Sequence, residues 1–595
     1  MSPFVVALSA LLAVAQGPEK APFWALVRTE NVGNAWLLRK RAGNNAWDTL
    51  GWVPGTLSTQ EWILSGASTN DSLAIHFVDP IAWAQQRKQG VNQSYPVDND
   101  PSQSSPWIRR APMDFGWDIA RPSLAVHPEG LTAERLSAGH LLFPKVTLTG
   151  TQQDSVVLEG QWLSTTEESV RLSWSWNHLV MSQEVRVQEG DTVPLRLALS
   201  VASAGWWEPR PAGGRPPSLP VVHSAFFFAS APGGESFRQR WSWARRSVGW
   251  DTTNGQSPLY VKINEKPVYA AGVNAIYTPQ QEPMLRQRLT EMYRAGGNTV
   301  RFWGGGYYPS SSLLRLTDSL GLMVWIDLAF SGSTYPAAGP VYEEMLAEVD
   351  FHARRCGHHP SVVLFCGNNE IDIAWKHWGW QEKYAMSPED SAKQWQDHVQ
   401  LFYRDFPALL HKGAPTIPYI HTSPVSNWGK PSDFKKGDNH DWRVWHGEQP
   451  TAVFQERTAP FVSEWGVPSL PTGAHTRWDF AELDSKMLSY KGLRLLKHYL
   501  TQEMGVDSGQ QNTVFSLERA SQKWQAKVIS KTIASHAAAA PFCMGSLVWQ
   551  LNDVDDVISW SLIGVDNRPK KAWRSARKAW RRIHPTLPAP PYPQL

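Results

Sequence analysis

Two glutamates stand where a carboxylate needs a reason. Glu370 ends the run Ser361-Val-Val-Leu-Phe-Cys-Gly-Asn-Asn-Glu, and Glu464 ends Ala459-Pro-Phe-Val-Ser-Glu, with Trp465 and Gly466 behind it. Each run reads as a buried strand, and a carboxylate at its end loses hydration that something must replace. A salt bridge to an arginine such as Arg301 would replace it; a catalytic site is the other reading. Asn368 and Asn369 set amides beside the first carboxylate, and Trp303, Trp325, Trp465 and Trp549 fall at or near strand ends. Two carboxyl groups among amides and aromatic faces can cleave a glycosidic bond. One, protonated, assists the leaving group, while the other, ionised, attacks or activates water.

The elements that must position them follow from the hydrophobic pattern. After Lys266 strands alternate with helices. A strand over 268–277 precedes a helix with Leu285, Leu289, Met292 and Tyr293 on one face. The strand Thr299-Val-Arg-Phe-Trp leads to a helix with Leu313, Leu316 and Leu320, stopped by Gly321. The strand Leu322-Met-Val-Trp-Ile, a helix from about Pro340 to Gly357 and the strand Ser361-Val-Val-Leu-Phe continue the alternation. Continuous apolar strands between amphipathic helices mean a parallel sheet covered on both faces, and the length suits a (β/α)8 barrel, whose catalytic groups sit at the C-terminal strand ends.

Residues 17–265 read as β structure. Leu73, Ile75 and Phe77 alternate with polar or small residues, as do Val146 and Leu148, then Val170, Leu172 and Trp174. Loops are expected over Gly90–Pro106 and Pro209–Pro220. The expected fold is therefore multidomain. A short N-terminal segment (1–16) ending in Ala-Val-Ala reads as a signal peptide, with an apolar N-terminal strand as the alternative. A shortened jelly-roll-like β domain (17–140), an immunoglobulin-like β-sandwich (141–265) and a (β/α)8 TIM barrel catalytic domain (266–595) follow it.

Composition narrows the partners. A net charge of +3 on 595 residues argues for neither nucleic acid nor a membrane surface, and the basic run near the C-terminus is modest. No other stretch approaches a membrane span, so a signal peptide would imply secretion or periplasmic export. Three cysteines, Cys356, Cys366 and Cys543, give neither a disulfide framework nor metal-ligand spacing, and no cofactor is expected. The 32 tryptophans fit core filling, with a handful available to stack on sugar rings.

The motifs together resemble the β-mannosidases of glycoside hydrolase family 2. The resemblance rests on Gly272-Val-Asn-Ala-Ile-Tyr, Asn298-Thr-Val-Arg-Phe-Trp-Gly-Gly-Gly-Tyr, Gly321-Leu-Met-Val-Trp-Ile-Asp-Leu-Ala-Phe and Thr334-Tyr-Pro. It continues in His358-His-Pro-Ser-Val-Val-Leu-Phe-Cys-Gly-Asn-Asn-Glu370, Gly437-Asp-Asn-His, Val444-Trp-His-Gly, Phe461-Val-Ser-Glu464-Trp-Gly and Gly545-Ser-Leu-Val-Trp-Gln-Leu-Asn-Asp. Outside the barrel Val53-Pro-Gly-Thr, the segment 71–86 and Arg109-Arg-Ala-Pro-Met-Asp-Phe-Gly-Trp-Asp118 look like parts of the family's N-terminal domain. The short stretch between Pro54 and Phe115 implies missing jelly-roll strands, and the family's C-terminal β domains have no counterpart in the sequence.

The resemblance implies roles. Glu370 would be the general acid/base and Glu464 the nucleophile of a retaining enzyme. Asn369 would contact the sugar 2-hydroxyl. Trp117 and Asp118 would reach the −1 subsite from the N-terminal domain, with a domain-interface cluster as their alternative. Trp303, Trp378 and Trp549 would line the pocket, and Trp445 and His446 would flank it, as would His440; a strand-end histidine can also simply order a loop. The sequence departs from the family at three places. Ile119-Ala120-Arg121 follows Asp118 where Trp-Gly-Pro is usual, Val554-Asp555-Asp556 stands for Cys-Trp-Pro, and Asp441 stands for a tyrosine. The implied function is exo-hydrolysis of terminal β-mannose from oligosaccharides or glycoconjugates. An endo-acting β-mannosidase or transglycosylase and an inactive carbohydrate-binding relative stay open, as does the oligomeric state.

Overall fold

The structure is a computed structural model. It describes residues 10–11, 23–30, 35–41, 48–53, 59–67, 72–77, 131–136, 139–149, 153–165, 167, 169–214, 217–232, 236–251, 260–489, 491–507 and 509–584.

At the N-terminal end Phe23–Glu30 lies between Thr59–Ala67 and Leu131–Arg135, while Ala35–Lys40 lies between Ser72–Phe77 and Asp48–Val53, all antiparallel. The short strand Ala10–Leu11 pairs with Leu73 and Ser72, the geometry of the N-terminal-strand alternative. A β-sandwich follows. Leu179–Arg186, Ser169–Trp176, His223–Ser230 and Ser236–Trp243 form one sheet, and Thr192–Ser200, Ser155–Ser164 and Gly139–Thr149 the other. Alternating inward residues fill its centre, with Trp162, Trp174, Trp243 and Phe227 fully buried.

The C-terminal unit is a (β/α)8 barrel. Its strands are β1 (Ala270–Ala275), β2 (Thr299–Phe302), β3 (Met323–Asp327), β4 (Val362–Cys366), β5 (Tyr419–Ile420), β6 (Asp438–His440), β7 (Phe461–Glu464) and β8 (Gly545–Val548). They pair in parallel in the spatial order 5-4-3-2-1-8-7-6, and the Ser426 N–H donating to the Asp438 carbonyl at 3.1 Å closes the ring. Around it run α1 (Glu282–Ala295), α2 (Ser311–Leu320), α3 (Pro340–Cys356), α4 (Ile371–His377), α5 (Gly492–Met504), α6 (Val514–Ala538) and α7 (Lys571–Arg581). Local chemistry sets their ends: Ser310 caps α2 by accepting from the Leu313 N–H at 3.0 Å, and Gly321 ends it at φ +71°.

The barrel floor is plugged from below. Trp250, on the hairpin layer Val248–Asp251, packs edge-on against Trp325 and tilted against Phe461, and donates to the Val363 carbonyl at 3.0 Å. Trp325 is therefore an interior floor residue, not a mouth residue. Polar groups in the barrel are left to the upper layer, where the catalytic candidates lie. Among the described residues no helix is long and apolar enough to cross a membrane.

Candidate active site

Arg301 organises the upper layer. It projects inward from β2 with no exposed surface and reaches groups on five other elements, His440 Nε2 at 3.3 Å from its Nη1 among them. Its Nε and Nη2 donate to the two Asp327 oxygens at 3.1 and 2.7 Å, Nη2 also to Asn369 Oδ1 at 2.8 Å, and Nη1 to Glu464 Oε1 at 2.7 Å and Asn274 Oδ1 at 3.2 Å. A buried guanidinium of this kind stands only because its donors are matched by carboxylates in a fixed fork. The Glu464–Arg301 salt bridge raised as an alternative to catalysis is thus present, and it holds the carboxylate at the barrel axis.

Glu370 follows β4. Its backbone adopts φ +63°, a left-handed conformation uncommon for a residue with a Cβ. Flanking hydrogen bonds hold it there, Asn369 N–H to the Phe330 carbonyl at 2.9 Å and Glu370 N–H to the Ser423 carbonyl at 2.8 Å. Such strain persists only where neighbours over-determine it, and here it turns the side chain toward Glu464.

His440, at the end of β6, joins the two. Its Nδ1 lies 2.7 Å from Glu370 Oε1 and 3.3 Å from Glu464 Oε2. A ring nitrogen of His440 and one oxygen from each carboxyl lie within 4.8 Å of one another. The far side of the ring is fixed, since Nε2 lies 3.1 Å from Ser423 Oγ, which donates to Asp438 Oδ2 at 2.6 Å. Ser463 Oγ donates to the other Asp438 oxygen. The three atoms are close enough to ligate a metal ion, but the fixed Arg301 cation on Glu464 favours shared protons over a further positive ion.

The electrostatics are uneven. Burial lifts the Glu464 carboxyl to about 7, against the pull of the His440 and Arg301 charges and with the Glu370 charge adding to the rise. Burial pushes Glu370 up as well, but its His440 hydrogen bond and the charges of His440, His446 and Arg301 outweigh it and hold the carboxyl below its ordinary range. His440 is raised: burial opposes its charge, and the two glutamates more than restore it. The same surroundings thus move the two carboxyls in opposite directions, Glu464 up and Glu370 down.

Asn369 is buried against Arg301. Trp303 and Trp549 meet edge to face, ring centres 5.2 Å apart, at the ends of β2 and β8. Trp378 caps α4 and is 43% exposed. His446 is half-buried, near enough to Glu370 for their charges to interact. Trp445 is placed otherwise than expected. It has no exposed surface, its Nε1 donates to Ser489 at 2.7 Å, and Tyr499 and Trp560 pack on it, so it backs the wall and offers a ligand no face. Trp117 and Asp118 lie outside the described residues. Asp441, where a tyrosine is usual, is gripped by Arg443 at 2.8 and 2.6 Å. Asp556, where a proline is usual, binds Arg477 at 2.9 Å and accepts from Trp478 at 3.0 Å. Sequence reasoning missed Asp327, Asn274, Ser423 and Asp438, which lie one or more strands away from the groups they hold.

No protein-family profile matches the chain. A β-mannosidase B of Emericella nidulans is 30% identical over 348 residues, 53% of this chain and 39% of the relative. The β-mannosidase of Bos taurus is 28% identical over 351 residues, 51% of this chain and 37% of the relative. The chain spans about two fifths of the length of the curated relatives it matches. Among solved structures, a β-D-mannosidase from Dictyoglomus thermophilum superposes with a TM-score of 0.79 at 22% identity, over 95% of this chain and 70% of that one. An exo-chitosanase from Amycolatopsis orientalis superposes at 0.63 and 16% identity, over 94% and 64%. The chain is a homologue of the β-mannosidases over about half its length and shares the fold of a solved one.

Proposed function

We propose that the chain is a retaining β-mannosidase that removes terminal non-reducing β-mannose, with Glu370 as acid/base and Glu464 as nucleophile. The observation that carries the reading is the separation of the two carboxyl groups. Retention needs the carboxyl groups about 5–5.5 Å apart, close enough for one to attack the anomeric carbon that the other serves, whereas inversion needs room for a water. Oxygens of Glu370 and Glu464 within 4.8 Å, on the ends of β4 and β7, suit the first geometry. The β-mannosidase relatives support the sugar.

The directions in which the site shifts the two carboxyls run against these roles, and His440, with Nδ1 2.7 Å from Glu370 Oε1 and 3.3 Å from Glu464 Oε2, stands where it can relay a proton from one to the other. Glu464 then attacks the anomeric carbon while Glu370 protonates the departing oxygen; in the second half Glu370, now ionised, takes a proton from water as it displaces Glu464. Arg301 fixes the nucleophile, and Asn369, held by the same guanidinium, faces the sugar 2-hydroxyl, where a hydrogen bond strengthens as charge develops. The indoles of Trp303, Trp378 and Trp549 supply apolar faces. Secretion under the N-terminal 1–16 segment and delivery of Trp117 and Asp118 to the −1 subsite, from a β domain over 17–140 beside a sandwich over 141–265, belong to the same reading.

The test is direct. An aryl β-mannoside followed by NMR should release β-mannose first, and Glu464→Ala should abolish turnover. Release of the α-anomer first, or wild-type rates in that variant, sinks the assignment. Manno-oligosaccharides longer than mannobiose separate exo from endo cleavage, because an exo enzyme releases single mannose residues and shortens the chain by one each time, whereas an endo enzyme releases oligosaccharides.

A further inference from the structure

Away from the barrel mouth, two outer helices concentrate positive charge that the site does not use. In α6 the residues Arg519, Lys523, Lys527 and Lys531 recur every fourth position, and all four are exposed. They form one stripe, about 18 Å long at the helical rise. Helix α7 packs along α6 with Ala572, Trp573, Ala576, Ala579 and Trp580 inward, and turns Lys571, Arg574, Lys578 and Arg581 to solvent; Arg582 follows at its C-cap. The packing of the two helices brings the rows together at Lys571, which partial burial and then the charges of Lys523 and Arg519 hold below the ordinary lysine value.

Little on the protein answers these charges. The acidic residue of the two helices is Glu518, and it is engaged, accepting from the Gly473 N–H at 2.9 Å and pairing with His475 at 2.6 Å. Glu291 of α1 is likewise taken by Arg288, Trp573 and Arg577. Among the described residues none of the nine exposed cations makes an ion pair. With a net charge of only +3 on the whole chain, the surplus is local. Like charges held this close repel, and an anionic partner would relieve them.

We propose that this face binds an acidic polysaccharide, a linear chain bearing carboxylate or sulfate groups. Charge complementarity selects an anion, and the straight stripe selects a polymer over a small ion. The mixture of guanidinium and ammonium groups suits carboxylates and sulfates, which accept bidentate and point contacts. A bilayer fits less well, since interfacial helices bury an apolar face; α7 exposes no large apolar residue and α6 only Phe515, at its first turn. Single-stranded nucleic acid calls for aromatic platforms among the cations, and here Trp524, Trp573 and Trp580 are all buried. The proposal is independent of the reaction in the barrel.

The probe is polygalacturonate, titrated into the full chain at about 50 and 200 mM salt, where counterion release distinguishes the electrostatic part of binding. Affinity should fall at least tenfold between the two. The combined variant Lys523→Glu, Lys527→Glu, Arg574→Glu and Lys578→Glu should lose binding while keeping its rate on an aryl β-mannoside. A matched reversal on the sandwich, Arg171→Glu, Arg186→Glu, Arg238→Glu and Arg240→Glu, should bind as the parent does. Equal loss in both variants, no binding by the parent, or tighter binding to phosphatidylserine vesicles or duplex DNA at equal charge each overturns the proposal. If the glutamate variant fails to fold, the four corresponding glutamine substitutions should weaken binding by at least tenfold, and a glutamine variant that binds normally overturns it as well.

Discussion

His440 Nδ1 lies 2.7 Å from Glu370 Oε1, so one ring bears on the acidity of both glutamates. The histidinium lowers Glu370 through the hydrogen bond and lowers Glu464 through its charge. Replacing it with a neutral amide should raise both carboxyls. In His440→Gln the kcat/KM profile on an aryl β-mannoside should therefore move bodily to higher pH, in addition to a fall in rate. A histidine that only ordered its loop would leave the profile in place and lower its height.

Stability should report the buried Glu464 carboxyl. The Glu464 carboxyl titrates near 4.3 in an unfolded chain and, lifted chiefly by burial, at about 7 when folded. A folded value above the unfolded one means that the contribution to stability is fully present below about 4.3 and is lost as pH rises through about 7. Glu464→Gln keeps the shape and removes the titration. The Tm of the variant minus that of the parent should then be more positive at high pH than at low pH. A difference that is flat between pH 5 and 8 would mean that Glu464 ionises in the folded site without cost.

The acid/base role makes a separate forecast. Glu370→Ala should damage mannosides with poor leaving groups far more than a dinitrophenyl mannoside, whose phenolate departs without a proton. Deglycosylation then limits the rate, and azide should restore it with retained configuration. Equal losses on mannobiose and on the activated substrate, without rescue, would remove Glu370 from the mechanism.

Part of this site is legible in the sequence. Glu370 and Glu464 stood out because each ends a continuous apolar run, and in a barrel the end of a strand is the mouth. Asn369 came with Glu370 as its neighbour. Arg301 was legible as a salt-bridge partner, but the other supports were not, because they act across the barrel. Asp327 and Asn274 come from two further strands, and Ser423, which follows β5, links Asp438 to His440. The strands β5 and β6, Tyr419–Ile420 and Asp438–His440, are too short to show any period. Trp445 misled for a related reason: adjacency to a site in sequence says nothing of which way a loop side chain turns, and this one turns to Ser489 and Tyr499. Trp325 misled because a mid-strand residue of a barrel points to its floor as readily as to its mouth.

Asp118 is the assignment that depends most on a single loop. If residues 109–118 reach the barrel, the Asp118 carboxylate accepts hydrogen bonds from hydroxyls of the −1 mannose. Charge-assisted bonds of that kind contribute on the order of 1.5–3 kcal/mol, so Asp118→Ala should lower kcat/KM by roughly tenfold to a few hundredfold. Tm should stay near that of the parent, because such a carboxylate is held for the substrate and packs against little. An interface carboxylate forecasts the opposite: a lower Tm from a loosened domain contact, with kcat/KM nearly intact. Both quantities are measured on one variant. A destabilised protein with near-normal kcat/KM would show that the −1 subsite is completed by the barrel, with Arg301, Asn369 and the Trp303–Trp549 pair, and without this loop.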